Sequence, residues 1–168
     1  RIAAAIKVGQ PFEPIELGNL DAKRDWSDAR DFVDGIWRML NQEVHRENMR
    51  PNVEPNGPFD PRLCTHLGEY VLASGETHSI REFVEKAFGA AGINGDWIGT
   101  DEIEAYLPTQ VLGCLVRINP AFFRPAEVSL LWGDSTRARA ELGWSPKISF
   151  DQLVTEMVKS DLAAVGIP

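Results

Sequence analysis

Cysteine is scarce in this chain: two in 168 residues. Cys64 and Cys114 are too few and too far apart for a disulfide framework, and neither has the C-x-x-C partner or histidine cluster of a zinc site. They read as free thiols, the form that reducing compartments maintain. Histidine is equally sparse, with three in all. His45, His66 and His78 fall in no metal-ligand spacing, so surface or capping roles are expected of each. No apolar run approaches the roughly 20 residues of a membrane span. The opening "RIAAAIKVG" lacks the apolar core and cleavage site of a signal peptide, and a cytoplasmic protein is the expectation. Positive charge is short too: 17 basic residues against 25 acidic ones give a formal charge of −8. That balance argues against general binding to nucleic acid or to an anionic membrane. Any anion site here is local.

What is present is alternation of short strand-like and helix-like segments. At this length one domain over residues 1–168 buries roughly 70% of its unfolded surface. The first residue is Arg1, inside what reads as a helix, which fits a fragment of a longer chain. Ile2 to Val8 reads as a helix tail ended by Gly9 and Pro11, and Ile15 to Leu17 as a strand stopped by Gly18. From Asp28 to Leu40, Ala29, Phe32, Val33, Ile36, Trp37 and Leu40 recur on one helical face, with Ser27 placed to cap it. Residues 41–68 hold Pro51, Pro55, Pro58 and Pro61 without apolar period, the pattern of a proline-rich loop insertion. "EYVLAS" (69–74) reads as a buried strand. Ser79 with Glu82, and Ser149 with Gln152, make capping boxes for two more amphipathic helices. Strands are expected at 96–99 and 113–118 with an acidic loop between them, and a short helix after Asp134. The class is α/β, shading to α+β, with short strands and no complete Rossmann sheet.

The glycines of "GAAGING" (Gly89, Gly92, Gly95) match the spacing of a dinucleotide fingerprint, but they follow a helix and precede a strand. A pyrophosphate needs the opposite order, because it sits on a helix N-terminus. A helix cap and a loop are therefore expected. Tyr70 and Tyr106 lack the lysine four residues on that would activate a phenol. Glu76 and His78 in "GETHS" fit a structural turn before the Ser79 cap. Two arginines beside turns remain, Arg24 and Arg124, with Glu127 three residues after the second. Guanidinium forks suit phosphate or carboxylate, and a glutamate accepts from base or sugar donors. The structural alternative pairs Arg24 with Asp25 or Asp28, and Arg124 with Glu127.

The stretches "LGNLDAKRDWSDARDFVDGIW", "LASGETHSIREFVEKAF" and "FFRPAEV", followed by "GD" and "LGWSP", resemble the C-terminal half of the GDP-mannose 4,6-dehydratase family, within the extended short-chain dehydrogenases. The resemblance implies a C-terminal substrate-binding part with no catalytic residue and no cofactor of its own. In the intact family enzyme an N-terminal Rossmann half holds NADP. There GDP-mannose is oxidised at C4, loses water across C5 and C6 and regains hydride at C6, giving GDP-4-keto-6-deoxymannose. It also implies that Arg24 and Arg124 hold the phosphates or ribose region, that Glu127 contacts base or ribose, and that Lys7, Val8 and Gly18 line the site. Lys23 to Asp25 would form the turn aiming Arg24, with Asp28, Arg30 and Asp31 on the solvated face of the next helix. Where the family reads Gly-His, this chain has Ser27 and Asp28, a carboxylate suited to a helix N-terminus. The implied partners are GDP-mannose, bound weakly by the chain alone, the N-terminal Rossmann half, and a second copy through the apolar face that half leaves exposed. The alternative is a non-catalytic nucleotide-sugar-binding module, or a split subunit needing a separate N-terminal chain.

Overall fold

Glycine and proline punctuate the apolar runs at short intervals, and the elements between them are correspondingly short. The computed structural model describes residues 1–41, 69–100, 103–124 and 126–167. Helix α1 (Ile2–Lys7) ends at Val8, and Gly9 turns the chain away at φ 66°. Strand β1 (Ile15–Leu17) lies parallel to β6 (Val116–Ile118). Beyond β6 come β5 (Ala105–Pro108) and β4 (Gly95–Ile98), both antiparallel, in the order β1-β6-β5-β4. β5 corrects the expected acidic loop. Tyr106, 3% exposed and opposite Val116, supplies the buried position that pulls the segment into the sheet. Glu104 beside it masks the apolar alternation in the sequence. The strand expected at 113–118 is correspondingly shorter. Leu115 and Val116 are fully buried, and with Val84, Ile93 and Tyr106 they form the core of this half.

A second sheet has the order β3-β2-β7, built from β2 (Lys23–Arg24), β3 (His78–Ser79) and β7 (Leu130–Leu131). Against it stand α3 (Ile80–Ala90) and α5 (Phe150–Ala164). The α5 capping box is complete: the Gln152 amide donates to Ser149 Oγ at 3.3 Å and the Ser149 amide to Gln152 Oε1 at 3.0 Å. The α3 box forms by half. The Glu82 amide donates to Ser79 Oγ at 3.1 Å, but the Glu82 carboxylate is taken by His78 Nδ1 at 3.0 Å. Lys86 and Asp151, 2.6 Å apart, tie α3 to α5.

Helix α2 (Ala29–Leu40) departs most from expectation. Its cap is Asp28, not Ser27: Asp28 Oδ1 accepts from the Arg30 amide at 2.8 Å, and the Arg30 guanidinium reaches both carboxylate oxygens at 2.9 Å. Asp28 and Asp31 are buried rather than solvated. Asp31 Oδ2 accepts from the Lys147 and Ile148 amides at 3.0 and 3.1 Å, and its carbonyl accepts from Trp144 Nε1 at 2.8 Å. Gly35 lets this polar face close on Leu72 and Trp144; a Cβ there would meet Leu72 Cδ1 at 2.5 Å. Arg38 Nη1 donates to the carbonyls of Leu142 and Gly143 at 3.0 and 2.9 Å, closing the C-terminus of α4 (Thr136–Leu142). Consequently the apolar stripe points outward, with Val33 66%, Trp37 65% and Leu40 73% exposed. Residues 69–74 form no strand. Their extended chain runs between Gly35 and Gly133, and no backbone hydrogen bond of Val71, Leu72 or Ala73 is made among the described residues. The proline-rich loop expected at 41–68 lies, apart from Asn41, outside the described residues, as do His45, His66 and Cys64.

The hydrogen bonds from Arg30, foremost its side chain, hold the Asp28 carboxyl below the usual 3.8. A depressed carboxyl stabilises the fold above its unfolded pKa, and that stability is lost as pH falls through the folded one. Asp28→Ala is therefore expected to cost about 1 kcal/mol at pH 7. Urea unfolding at pH 7 and again below pH 3 checks this, the penalty fading at the lower pH.

Candidate functional site

The site is built on β2, the middle strand of the small sheet. Arg24 stands opposite His78 on one side and Leu131 on the other. The expected turn at 23–25 is thus a strand end, held by Asp25. Asp25 Oδ1 accepts from the Ser74 amide at 2.9 Å and from Ser74 Oγ at 2.6 Å, while Oδ2 accepts from the Gly75 amide at 3.0 Å. No sequence signal marks this staple, because its two halves lie 49 residues apart.

Neither structural pairing considered for the arginines occurs. Arg24 Nη2 donates instead to Glu127 Oε1 at 2.6 Å, and its Nη1 to the carbonyls of Lys23 and Val128 at 2.8 and 2.9 Å. Parallel pairing of β2 with β7 carries residues 127–128 to Arg24. Arg124 is exposed, without an ion pair among the described residues, and its carbonyl accepts from the Glu127 amide at 3.1 Å across a tight turn. Gly18 serves a close approach: a Cβ there would lie 2.7 Å from the Phe122 carbonyl oxygen. This contact brings the end of β1 to the short 3-10 turn at Pro120–Phe122 that leads into Arg124. Arg24, Arg124, Glu127 and Gly18 are therefore linked through residues 119–128. Lys7 and Val8 close α1, and among the described residues no hydrogen bond or ion pair joins them to the other four.

Beside Phe123 opens a polar cavity of about 290 Å³ lined by Asn19, Asp21, Arg81, Glu104 and Ile118. Arg81 donates to both Glu104 oxygens, lies 3.1 Å from Asp21 and covers the Trp97 ring at 4.8 Å. Hydrogen bonding to Glu104, foremost, raises the pKa of this guanidinium further. In sequence Arg81 looks like any solvated helix residue, and only the fold reveals its place. A larger, apolar cavity of about 700 Å³ lies between α1, α3 and α5, with Trp26 and Phe83 in its wall.

The remaining expected residues take structural places. His78 stacks on Phe150 with ring centroids 3.9 Å apart. Cys114 donates to the Val116 carbonyl at 3.2 Å, and burial pushes its thiol up. Gly92, at φ 75°, ends α3. The glycine run therefore stands at a helix C-terminus, whose free carbonyls repel a pyrophosphate, and these residues do not fit the dinucleotide. No group of three metal-ligating side chains occurs among the described residues, and none of their helices is long and apolar enough to cross a membrane.

The profile of the family described as GDP-mannose 4,6 dehydratase matches residues 1–53 and 63–157. A GDP-mannose 4,6-dehydratase of Sinorhizobium fredii is 42% identical over 163 residues, covering 97% of this chain and 40% of the relative. The Drosophila melanogaster and human counterparts are 43% and 40% identical, and the matches cover 33% and 37% of their lengths. The chain thus spans well under half of these relatives, the C-terminal part as the motifs implied. Among solved structures, RMD from Pseudomonas aeruginosa complexed with NADPH matches with TM-score 0.60 at 18% identity, covering 97% of this chain and 40% of that one. UDP-glucose 4-epimerase from Bifidobacterium longum, in complex with NAD+ and UDP, matches at 0.57 and 17% over 96% of this chain and 38% of that one. These likenesses show the fold alone: the chain is arranged as the matching part of those two proteins.

Proposed function

Because the chain belongs to the GDP-mannose 4,6 dehydratase family, we propose that it is the part of such an enzyme that grips the GDP-sugar, the reaction being GDP-mannose to GDP-4-keto-6-deoxymannose and water. The observation that carries this reading is the pairing of Arg24 with Glu127, 103 residues apart in sequence, with the exposed Arg124 three residues before Glu127 and its carbonyl bonded to the Glu127 amide. Two guanidinium groups supply charge-assisted bonds to a diphosphate, and the carboxylate accepts from sugar hydroxyls. Gly18 keeps the floor low enough for the backbone of 119–122 to approach, while Lys7 and Val8 are included on the resemblance alone. At roughly 1.5–3 kcal/mol for each charged contact, less the cost of ordering, the chain alone binds GDP-mannose at about millimolar strength.

Catalysis and NADP binding belong to the N-terminal half of the whole enzyme. That half docks on the outward stripe of α2 and along the backbone of Val71 to Ala73, which has no backbone partner among the described residues, by adding strands to it. Without it, the same face brings two copies together. The test is complementation. Mixed with the N-terminal part of the Sinorhizobium fredii relative, this chain is expected to form a complex that dehydrates GDP-mannose when NADP is supplied, with neither part active alone. A co-purifying complex that binds NADP but leaves GDP-mannose unbound would refute the reading.

A further inference from the structure

We propose that Glu127 is a resident competitor for Arg24, through which the site prefers a nucleoside diphosphate to bare pyrophosphate. The inference rests on the reading of this face as a GDP grip. Arg24 is fixed: its strand is paired on both sides, and Nη1 is held by two carbonyls. Among the described residues its one side-chain partner is Glu127, and the two side chains are only 24% and 26% exposed, so water and salt screen the pair less than a surface one. Glu127 is not fixed in the same way. It follows a tight turn, and its carboxylate has no partner other than Arg24 among the described residues. A side-chain rotation therefore withdraws it.

A phosphate that takes Arg24 must expel that carboxylate, and an expelled carboxylate beside a phosphate costs free energy unless it finds donors. The ribose hydroxyls of a nucleoside diphosphate are such donors. At neutral pH pyrophosphate offers only P–OH protons, carried by the same phosphate groups that Arg24 takes. The exchange of partners thus compensates the expulsion better when the sugar is attached to the phosphates.

Calorimetric titration of GDP and of pyrophosphate into the wild-type chain and into Glu127→Gln tests this. The variant is expected to bind pyrophosphate about tenfold more tightly than wild type, while GDP gains less than about threefold, so the preference for GDP shrinks. Glu127→Ala is expected to shift pyrophosphate in the same direction, which separates charge from shape. Equal gains for both ligands, or none for pyrophosphate while GDP still binds wild type, overturn the competition. Absence of GDP binding to the wild type overturns the underlying reading and the inference with it.

Discussion

Trp144→Ala is expected to lower the unfolding free energy by about 3–5 kcal/mol, a large share of the roughly 5–15 kcal/mol that holds a domain of this size. The side chain is fully buried, and it stands where α2, α4 and the loop into α5 meet. Removing it opens a cavity and takes from the Asp31 carbonyl the indole donor that ties α2 to this junction. Urea denaturation followed by the fluorescence of the remaining tryptophans measures the loss. Trp144→Phe keeps most of the volume and is expected to cost less, about 1–2 kcal/mol for the lost hydrogen bond and the smaller ring. Equal stability of Trp144→Ala and wild type would show that the α2–α4 junction is not part of the folded core.

The second large effect concerns association. Trp37→Glu is expected to weaken docking of the N-terminal half by about 30- to 100-fold, the scale of a central aromatic anchor. The stability of the isolated chain should stay within about 0.5 kcal/mol of wild type, because the residue is 65% exposed. Sedimentation of the mixed halves measures the first quantity and thermal unfolding of the chain measures the second. A variant that docks as well as wild type would place the interface elsewhere. A variant that unfolds would mean that Trp37 is covered by its own chain.

These two residues also mark how far the sequence can be read. The periodicity of α2 is genuine, and so is its helix, but periodicity states only that an apolar face exists. It does not say what covers that face. Here the inner face is Gly35 flanked by Asp31 and Arg38, whose polar side chains are satisfied by backbone partners more than 100 residues away. The caps of α3 and α5 were legible because a cap is local, acting across three residues. The Ser27 cap failed because Asp28, one residue later, accepts from the same helix end and is held there by Arg30. β5 stayed hidden behind its flanking acids. "EYVLAS" has the composition of a central strand but no strand beside it among the described residues, and composition does not say what lies next to an apolar run.

The candidate site divides in the same way. Arg24, Arg124 and Glu127 stood out as residue types beside turns, and the resemblance gave them roles. Their mutual geometry is a tertiary fact: the Arg24 to Glu127 pair depends on the parallel register of β2 and β7, and no spacing in the sequence encodes that register. The Asp25 staple and the Arg81 cavity are likewise products of distant segments meeting.

The most direct test of the account is an NMR titration of GDP-mannose, to about 10 mM, into the isotope-labelled chain. Saturable shifts are expected at Arg24, Arg124 and Glu127 with a Kd of about 1 mM or weaker, and their loss in Arg24→Ala and Arg124→Ala. Saturable shifts that leave these three residues still, or that persist unchanged in both variants, would contradict it.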